Sequence, residues 1–215
     1  SSLEILGNIV SAVVNLSTLN ATVTGNGRAD IDLYSYANTN IYLSTLAASV
    51  AKDGTASILF ISDGSVYLDL SSIAATVNSS GLGTAYNTAE ITFFAEEDIE
   101  ITDSDLLSQV VNGNGNSSIF LDADGEYLDI FNTAYPNLHF IKALVKGDGE
   151  ATIDMDADGD NGDGNLYIHN GNLTAKVEGT VETDNYADIA LYAWGAMQID
   201  PTNNLAQVDN GKARI

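Results

Sequence analysis

The sequence predicts an all-β protein, a right-handed parallel β-helix (β-solenoid) of about seven rungs with three short strands in each rung. Three observations lead to this fold class: one strand-like phrase recurs along the whole chain, apolar residues alternate with polar ones in short runs, and glycine-rich turns recur at one place. A repeat of roughly 30 residues is typical of solenoids, whose repeats bury an apolar face only against their neighbours. We therefore expect residues 1–215 to form one β-solenoid domain, continued by further rungs or by a neighbouring subunit.

The first run of each repeat carries two apolar residues separated by one residue. This period of two is typical of a strand with one buried face, so both side chains are expected to point inward. The copies of this run contain Leu3 and Ile5, Ile31 and Leu33, Ile58 and Phe60, Ile91 and Phe93, Ile119 and Leu121, Ile153 and Met155, and Ile189 and Leu191. Stacked copies would place these side chains in two continuous columns.

The second and third runs show the same alternation and predict two more strands in each rung. The second run comprises Val14–Leu16, Ile41–Leu43, Val66–Leu68, Ile99–Ile101, Leu128–Ile130, Leu166–Ile168 and Met197–Ile199. The third run, the recurring phrase, comprises Leu19–Val23, Leu46–Val50, Ile73–Val77, Leu107–Val111, Ile141–Val145, Leu173–Val177 and Leu205–Val208.

Turns rich in glycine, asparagine and aspartate separate the third run from the next first run. These residue types adopt positive φ at low cost, which a tight corner requires. The turns are Gly25–Gly27, Asp53–Gly54, Gly81–Gly83, Gly113–Gly115, Gly147–Gly149 and Asn210–Gly211. Helices are not expected, because glycine, asparagine and β-branched residues are spread throughout. A right-handed coil follows from the crossover preference of parallel strands.

Several phrases resemble the repeats of filamentous-haemagglutinin-type β-helices in large secreted bacterial adhesins. They are Gly27–Ile31, Gly54–Ile58, and Ala89–Phe93 followed by Asp98–Ile101, which match parts of a degenerate Gly-x-Ala-x-Ile-x-Leu pattern. In such proteins the β-helix is a long stalk that projects adhesive parts from the cell. The resemblance therefore implies a structural role in cell adhesion and biofilms, without carrying over any binding residue.

Composition limits the partners and the location. The 30 acidic and 7 basic residues give a formal charge of −23, which would repel a nucleic-acid backbone. We therefore expect no nucleic-acid partner. The absence of cysteine excludes disulfides, and the absence of a long apolar run predicts no transmembrane segment and no signal peptide. Abundant Asn, Asp, Gly, Ser and Thr favour an extracellular protein at the cell surface or in a secreted fibre.

One segment has the composition of a calcium loop. Carboxylates at alternate positions before a glycine turn can present several oxygens to a hard cation, although Asn165 occupies the position where calcium loops carry a bidentate glutamate. The candidate ligands are Asp154, Asp156, Asp158, Asp160 and Asp163. The alternative is an unoccupied acidic turn, with Asp154 and Asp156 as outward residues of a strand.

Three tyrosines have corresponding outward positions in the second run, namely Tyr42, Tyr67 and Tyr167. Such a column predicts an aromatic contact surface for sugars or for a neighbouring rod. Stacking between rungs would favour the same residues without any ligand, and Glu100 and Asp129 interrupt the column.

These features predict an extracellular structural β-solenoid, either a self-assembling surface fibre subunit or the stalk of an adhesin. Its expected partner is itself, end to end or side by side in a filament, with surface glycans as a further partner and calcium as a cofactor. The alternative is a carbohydrate-binding or carbohydrate-cleaving β-helix domain. We expect no enzyme, because the carboxylates between Glu96 and Asp105 lack cationic residues for a lyase within that segment.

Overall fold

A computed structural model describes residues 2–5, 12–79, 86–133, 139–159, 163–179, 185–200, 203–208 and 212–215. These residues contain strands and turns but no helix, and therefore no helix that could span a membrane. The first strands are β1 (Ser2–Ile5), β2 (Ala12–Asn15), β3 (Thr18–Val23), β4 (Gly27–Ser35), β5 (Thr39–Tyr42), β6 (Thr45–Val50), β7 (Gly54–Ser62), β8 (Val66–Asp69), β9 (Ser72–Asn78), β10 (Asn87–Ala95) and β11 (Ile99–Thr102). The later strands are β12 (Asp105–Val111), β13 (Gly115–Ala123), β14 (Tyr127–Phe131), β15 (Ile141–Val145), β16 (Gly149–Ala157), β17 (Asn165–His169), β18 (Asn172–Val177), β19 (Tyr186–Ala193), β20 (Met197–Asp200), β21 (Asn203–Val208) and β22 (Lys212–Arg214).

The strands form three parallel sheets, and the chain visits them in the same order in every turn. Sheet A has the order β1-β4-β7-β10-β13-β16-β19-β22, sheet B the order β2-β5-β8-β11-β14-β17-β20, and sheet C the order β3-β6-β9-β12-β15-β18-β21. Every third strand therefore pairs with the strand one turn away, which is the topology of a β-solenoid. The predicted fold class, with three strands in each turn, is confirmed.

The core is formed by inward side chains that stack in columns along the axis. The prediction for the first run is correct in every described pair: Ile31 aligns with Ile58, Ile58 with Ile91, and so on to Ile189. These side chains are almost fully buried. The rings of Phe60 and Phe93 meet edge to face at 4.6 Å between centroids, so one aromatic pair packs within an otherwise aliphatic core.

The second run is displaced by two residues in its first two copies. Val66 aligns with Thr39, and Leu68 aligns with Ile41, whereas the sequence pattern matched Ile41 to Val66. Leu43 lies beyond the strand at an exposed corner with φ of 47°, so it is not an inward residue of the run. The sequence Ile41-Tyr42-Leu43 has the apolar alternation of a strand because Leu43, at the corner, continues the pattern beyond the end of β5.

The third run also requires a correction at two copies. Leu106 and Val110 align with Ile73 and Val77, so the inward phrase is shifted by one residue from the predicted Leu107–Val111. In the last copy Val208 aligns with Val177 as predicted, but Leu205 aligns with outward Thr174 and is exposed. The aligned valines Val23, Val50, Val77, Val110, Val145, Val177 and Val208 are therefore separated by 27, 27, 33, 35, 32 and 31 residues.

A ladder of serines stabilises the corner between sheets B and C. The backbone N–H of Ser44 donates to Oγ of Ser71 at 3.0 Å, and that of Ser71 donates to Oγ of Ser104 at 3.0 Å. Each of these hydroxyls also donates to the carbonyl two residues before it. The serines are buried, so the ladder satisfies backbone groups that water does not reach.

Glycines form the corner between sheets C and A, as predicted for Gly27, Gly54, Gly115 and Gly149. Their φ values lie between 144° and 156°, a conformation that favours glycine. Turns also approach one another closely here, since a Cβ atom on Gly54 would lie 1.8 Å from the carbonyl oxygen of Gly27. The predicted turns Gly81–Gly83 and Asn210–Gly211 lie outside the described residues.

Candidate functional site: the sheet B face and the acidic positions

The outward face of sheet B carries two columns of side chains that run along the rod. One column contains Asn40, Tyr67, Glu100, Asp129, Tyr167 and Gln198. Tyr67 and Tyr167 thus occupy the same position, as predicted. Tyr42 does not, because it aligns with Asp69 in the neighbouring column. The predicted three-tyrosine column is therefore wrong, and the two remaining tyrosines flank a pair of carboxylates.

Glu100 and Asp129 lie directly opposite each other on adjacent strands β11 and β14. Burial raises the pKa of Asp129, the neighbouring Glu100 carboxylate raises it further, and His169 partly opposes the shift. Tyr127, which precedes Leu128 on β14, belongs to the same group: burial raises the pKa of its phenol, and Asp98, Tyr67, Glu100 and Asp129 add to that shift. Two carboxylates and two phenols therefore share one half-buried patch of the sheet.

The second column contributes aromatic and acidic groups beside this patch. Phe131 and His169 stack with ring centroids 5.1 Å apart and an interplanar angle of 13°. One depression of about 360 Å³ is lined by Asn40, Ile41, Tyr42, Tyr67, Leu68, Asp69, Glu100 and Thr102. A second, of about 200 Å³, is lined by Asp129, Phe131, Tyr167, Ile168, His169, Gln198 and Asp200. The first depression lies over β5, β8 and β11 and the second over β14, β17 and β20, so the two follow one another along the axis of the rod, and together they are named the sheet B groove.

The predicted calcium ligands are divided between two places. Asp154 and Asp156 lie on strand β16 of sheet A, where they alternate with buried Ile153 and Met155. Asp156 aligns with Asp122 on the adjacent strand, so the first group is a face of the sheet and not a loop. Asp163 instead lines a corner depression of about 360 Å³ together with Glu96, Glu97, Asp98, Asp124, Gly125 and Glu126.

The ionised forms of the sheet A carboxylates are destabilised by burial and by repulsion from one another. Burial and the carboxylates of Asp158, Asp122 and Asp154 raise the pKa of Asp156 to about 6. Burial also raises the pKa of Asp122 and of Asp154. The Oδ1 atoms of Asp154 and Asp156 are buried and have no hydrogen-bond partner. This group therefore holds negative charge that the described structure does not compensate.

No three carboxylate or histidine side chains among the described residues converge in an arrangement that could hold a metal ion. Asp160 lies outside the described residues, so the predicted set of Asp154, Asp156, Asp158, Asp160 and Asp163 is only partly placed.

The last described strand of sheet B leaves core positions uncovered. Met197 and Ile199 align with Leu166 and Ile168 of the preceding turn. Leu166 and Ile168 are at most 1 % exposed, whereas Met197 is 45 % and Ile199 39 % exposed. Met197 and Ile199 thus lack, among the described residues, the covering strand that buries the equivalent side chains from β5 to β17.

Comparison of the chain with protein-family models, with curated proteins and with solved structures found no match. The likeness to adhesin repeats therefore depends on the repeat pattern and the solenoid fold alone.

Sequence reasoning overlooked the pairing of Glu100 with Asp129 as a feature in its own right. The signal was present, because Ile99-Glu100-Ile101 and Leu128-Asp129-Ile130 place a carboxylate at the same point of consecutive second runs. Both residues were interpreted as interruptions of a tyrosine column. The position of Tyr127 beside these carboxylates could not be predicted from the repeat, because Tyr127 lies one residue before the repeated phrase Leu128-Asp129-Ile130.

Proposed function

We propose that this protein is an extracellular structural rod, a self-assembling fibre subunit whose copies stack end to end. The architecture supports a mechanical role, because three continuous hydrogen-bonded sheets surround a core of stacked, mostly aliphatic side chains. Such a rod is stiff along its length and presents regular outer faces. The resemblance to adhesin repeats supports the same role, since their β-helices hold adhesive parts away from the cell.

The observation that supports self-assembly is the solenoid itself, in which each turn buries its core side chains only against a neighbouring turn. A second copy that continues the rod beyond β20 would bury Met197 and Ile199, which no described strand of sheet B covers. The −23 charge opposes close approach of two copies, so stacking should require moderate ionic strength.

The test compares two substitutions on the same strand. Ile199→Asp places a charge on the uncovered surface, whereas Gln198→Asp places the same charge on the outer face of sheet B. Sedimentation velocity and negative-stain microscopy should show filaments for the wild type and Gln198→Asp, and single rods for Ile199→Asp. Discrete rods for all three proteins would contradict the fibre and favour the stalk of an adhesin.

We also propose calcium as a weakly bound ligand of Asp154 and Asp156, because their buried Oδ1 atoms lack partners. No third carboxylate or histidine of the described residues converges on these two, so water would supply most of the remaining oxygens. Calcium should raise the melting temperature of the wild type and have a smaller effect on the Asp154→Asn variant. An equal effect of calcium on both proteins would contradict this site.

A further inference from the structure

The sheet B groove combines tyrosine and carboxylate side chains that a purely structural role does not require. Along one column, Tyr67, Glu100, Asp129 and Tyr167 follow one another on consecutive strands β8, β11, β14 and β17. Parallel strands are about 4.8 Å apart, so the two tyrosines lie about 14 Å apart with both carboxylates between them. Tyr127 adds a third phenol beside this row.

On the described strands of sheet B, no lysine or arginine neutralises the negative charge of this groove. The described strands of sheet B contain neither lysine nor arginine, and His169 is their only basic side chain. The described ion pairs of Arg28, Lys176 and Arg214 lie on sheets A and C. Glu100 and Asp129 are therefore available to a cationic ligand.

The shape of the groove favours a chain that lies along the rod, across the strands. Glu100 lines the first depression, which reaches Tyr42, and Asp129 lines the second, which reaches Asp200, so the paired carboxylates lie where the first depression ends and the second begins. The groove thus crosses the strands from β5 to β20, which is about 24 Å at the spacing of parallel strands. The outward side chains of the groove repeat at the strand spacing of about 4.8 Å, which is close to the length of one sugar unit in a linear polysaccharide.

We propose that the sheet B groove binds a linear polysaccharide of amino sugars. The phenol rings of Tyr67 and Tyr167 would pack against the apolar faces of sugar rings, because an aromatic face and a C–H surface exclude water together. Glu100 and Asp129 would accept hydrogen bonds from ammonium and hydroxyl groups between the two rings. A polymer that carries carboxylates is disfavoured by the charge of the groove.

This binding is independent of end-to-end stacking. Stacking uses the apolar end of the rod, whereas the groove lies on its side. Calorimetric titration therefore tests the ligand, and sedimentation of the same protein samples tests the assembly, so that failure of either proposal is visible without the other.

The titration uses hexamers of glucosamine, N-acetylglucosamine and galacturonic acid, together with hexalysine as a peptide of similar charge. The glucosamine hexamer should bind most tightly, the acetylated hexamer more weakly, and the galacturonic acid hexamer not at all. Binding of hexalysine as tight as that of the glucosamine hexamer would overturn the proposal, because the groove would then act as a general anionic surface. Absence of binding to the glucosamine hexamer would overturn it directly.

Variants locate the binding on this face. Tyr67→Ala with Tyr167→Ala should weaken glucosamine hexamer binding by at least about tenfold, and Glu100→Gln with Asp129→Asn by a similar factor. Tyr67→Phe should retain most of the affinity because the ring remains. Gln109→Ala, on sheet C, is the matched surface control and should bind as the wild type does. Circular dichroism melting confirms that each variant is folded, and unchanged affinity in both double variants would overturn the proposal.

Discussion

Asp156 is a single residue whose charge the fold opposes. Its pKa of about 6 in the folded protein lies above the ordinary value of 3.8, because the side chain is partly buried among other carboxylates. The folded state therefore binds the proton more tightly than the unfolded chain does. The destabilisation by this group is absent below about pH 4, develops between about pH 4 and pH 6, and is complete above pH 6. Asp122 and Asp154 act in the same direction.

Asp156→Asn should therefore raise the melting temperature at pH 7.5 in the presence of chelator and change it little at pH 4. The gain at neutral pH is about 1 kcal/mol after screening by solvent. The wild type itself should melt at a higher temperature at pH 5 than at pH 7.5, because Asp122 and Asp154 act in the same direction as Asp156. Asp63→Asn, at an exposed corner, is the control. A variant that melts below the wild type at pH 7.5 would show that the carboxylate makes a stabilising contact.

Leu70 illustrates strain at the residue scale. It has φ of 47°, like Leu16 and Leu43, and its side chain is 44 % exposed. A non-glycine residue in this conformation costs about 1–2 kcal/mol. The next turns carry Asp103 and, further along, Asn170 in the same conformation at the equivalent corner.

Leu70→Asn should therefore stabilise the protein by several tenths to about 1 kcal/mol, because asparagine accepts positive φ more readily. Denaturant unfolding measures the change. Leu59→Asn, on the outer face of strand β7 of sheet A, is the control and should give no gain. Destabilisation by Leu70→Asn would mean that the leucine packs usefully at the corner.

The serine ladder is the clearest element that a single substitution can test. Oγ of Ser71 accepts from the N–H of Ser44 and donates to the carbonyl of Asp69 at 2.8 Å. Ser71→Ala leaves the buried N–H of Ser44 without that acceptor, which should cost about 1–3 kcal/mol in the free energy of unfolding.

Ser49→Ala provides the matched control for this prediction. The Oγ of Ser49 bonds only to Thr22 at an exposed position on sheet C, at 3.2 Å, so its loss should change stability by less than about 0.5 kcal/mol. Equal changes in the free energy of unfolding for Ser71→Ala and Ser49→Ala would show that the corner ladder contributes no more stability than an exposed serine.

The elements differ in how well the sequence predicts them. Strands of sheet A were placed correctly because two spaced apolar residues define the phase, and a glycine begins β4, β7, β13 and β16. The second run failed where Thr39 takes an inward position and exposed Leu43 continues the apolar alternation beyond the strand. The third run failed where Leu106-Leu107 and Val110-Val111 give two equally apolar phases. Only the stacking of neighbouring turns decides between them.

The candidate sites were harder to predict than the fold, because a site depends on which turns align. A shift of two residues removed Tyr42 from the column of Tyr67 and Tyr167. The same alignment made neighbours of Glu100 and Asp129, which are separated by 28 other residues in the sequence. The acidic loop was divided because Asp154 and Asp156 follow the strand period, whereas Asp163 lies at a corner.

At the scale of the whole molecule, the charge of −23 acts on every turn. Carboxylates on adjacent strands, such as Asp122 and Asp156, repel one another along the rod. Raising the ionic strength from about 10 mM to about 150 mM shortens the screening length from about 30 Å to about 8 Å. The melting temperature should therefore rise with sodium chloride over this range, and differential scanning calorimetry measures it. An invariant or falling melting temperature would mean that repulsion between turns is negligible.

The direction of the hydrogen bonds between turns determines how the rod responds to tension. The ladders that join β4 to β7 and β7 to β10 point along the axis, so a pull on the two ends loads the bonds of the outermost turn directly. Each turn holds 27 to 35 residues, and its release would lengthen the chain by about 100 Å. Under load the molecule would yield one turn at a time and absorb work at each step. It would extend many times over before it parted, which is how a tether protects its anchorage from sudden force.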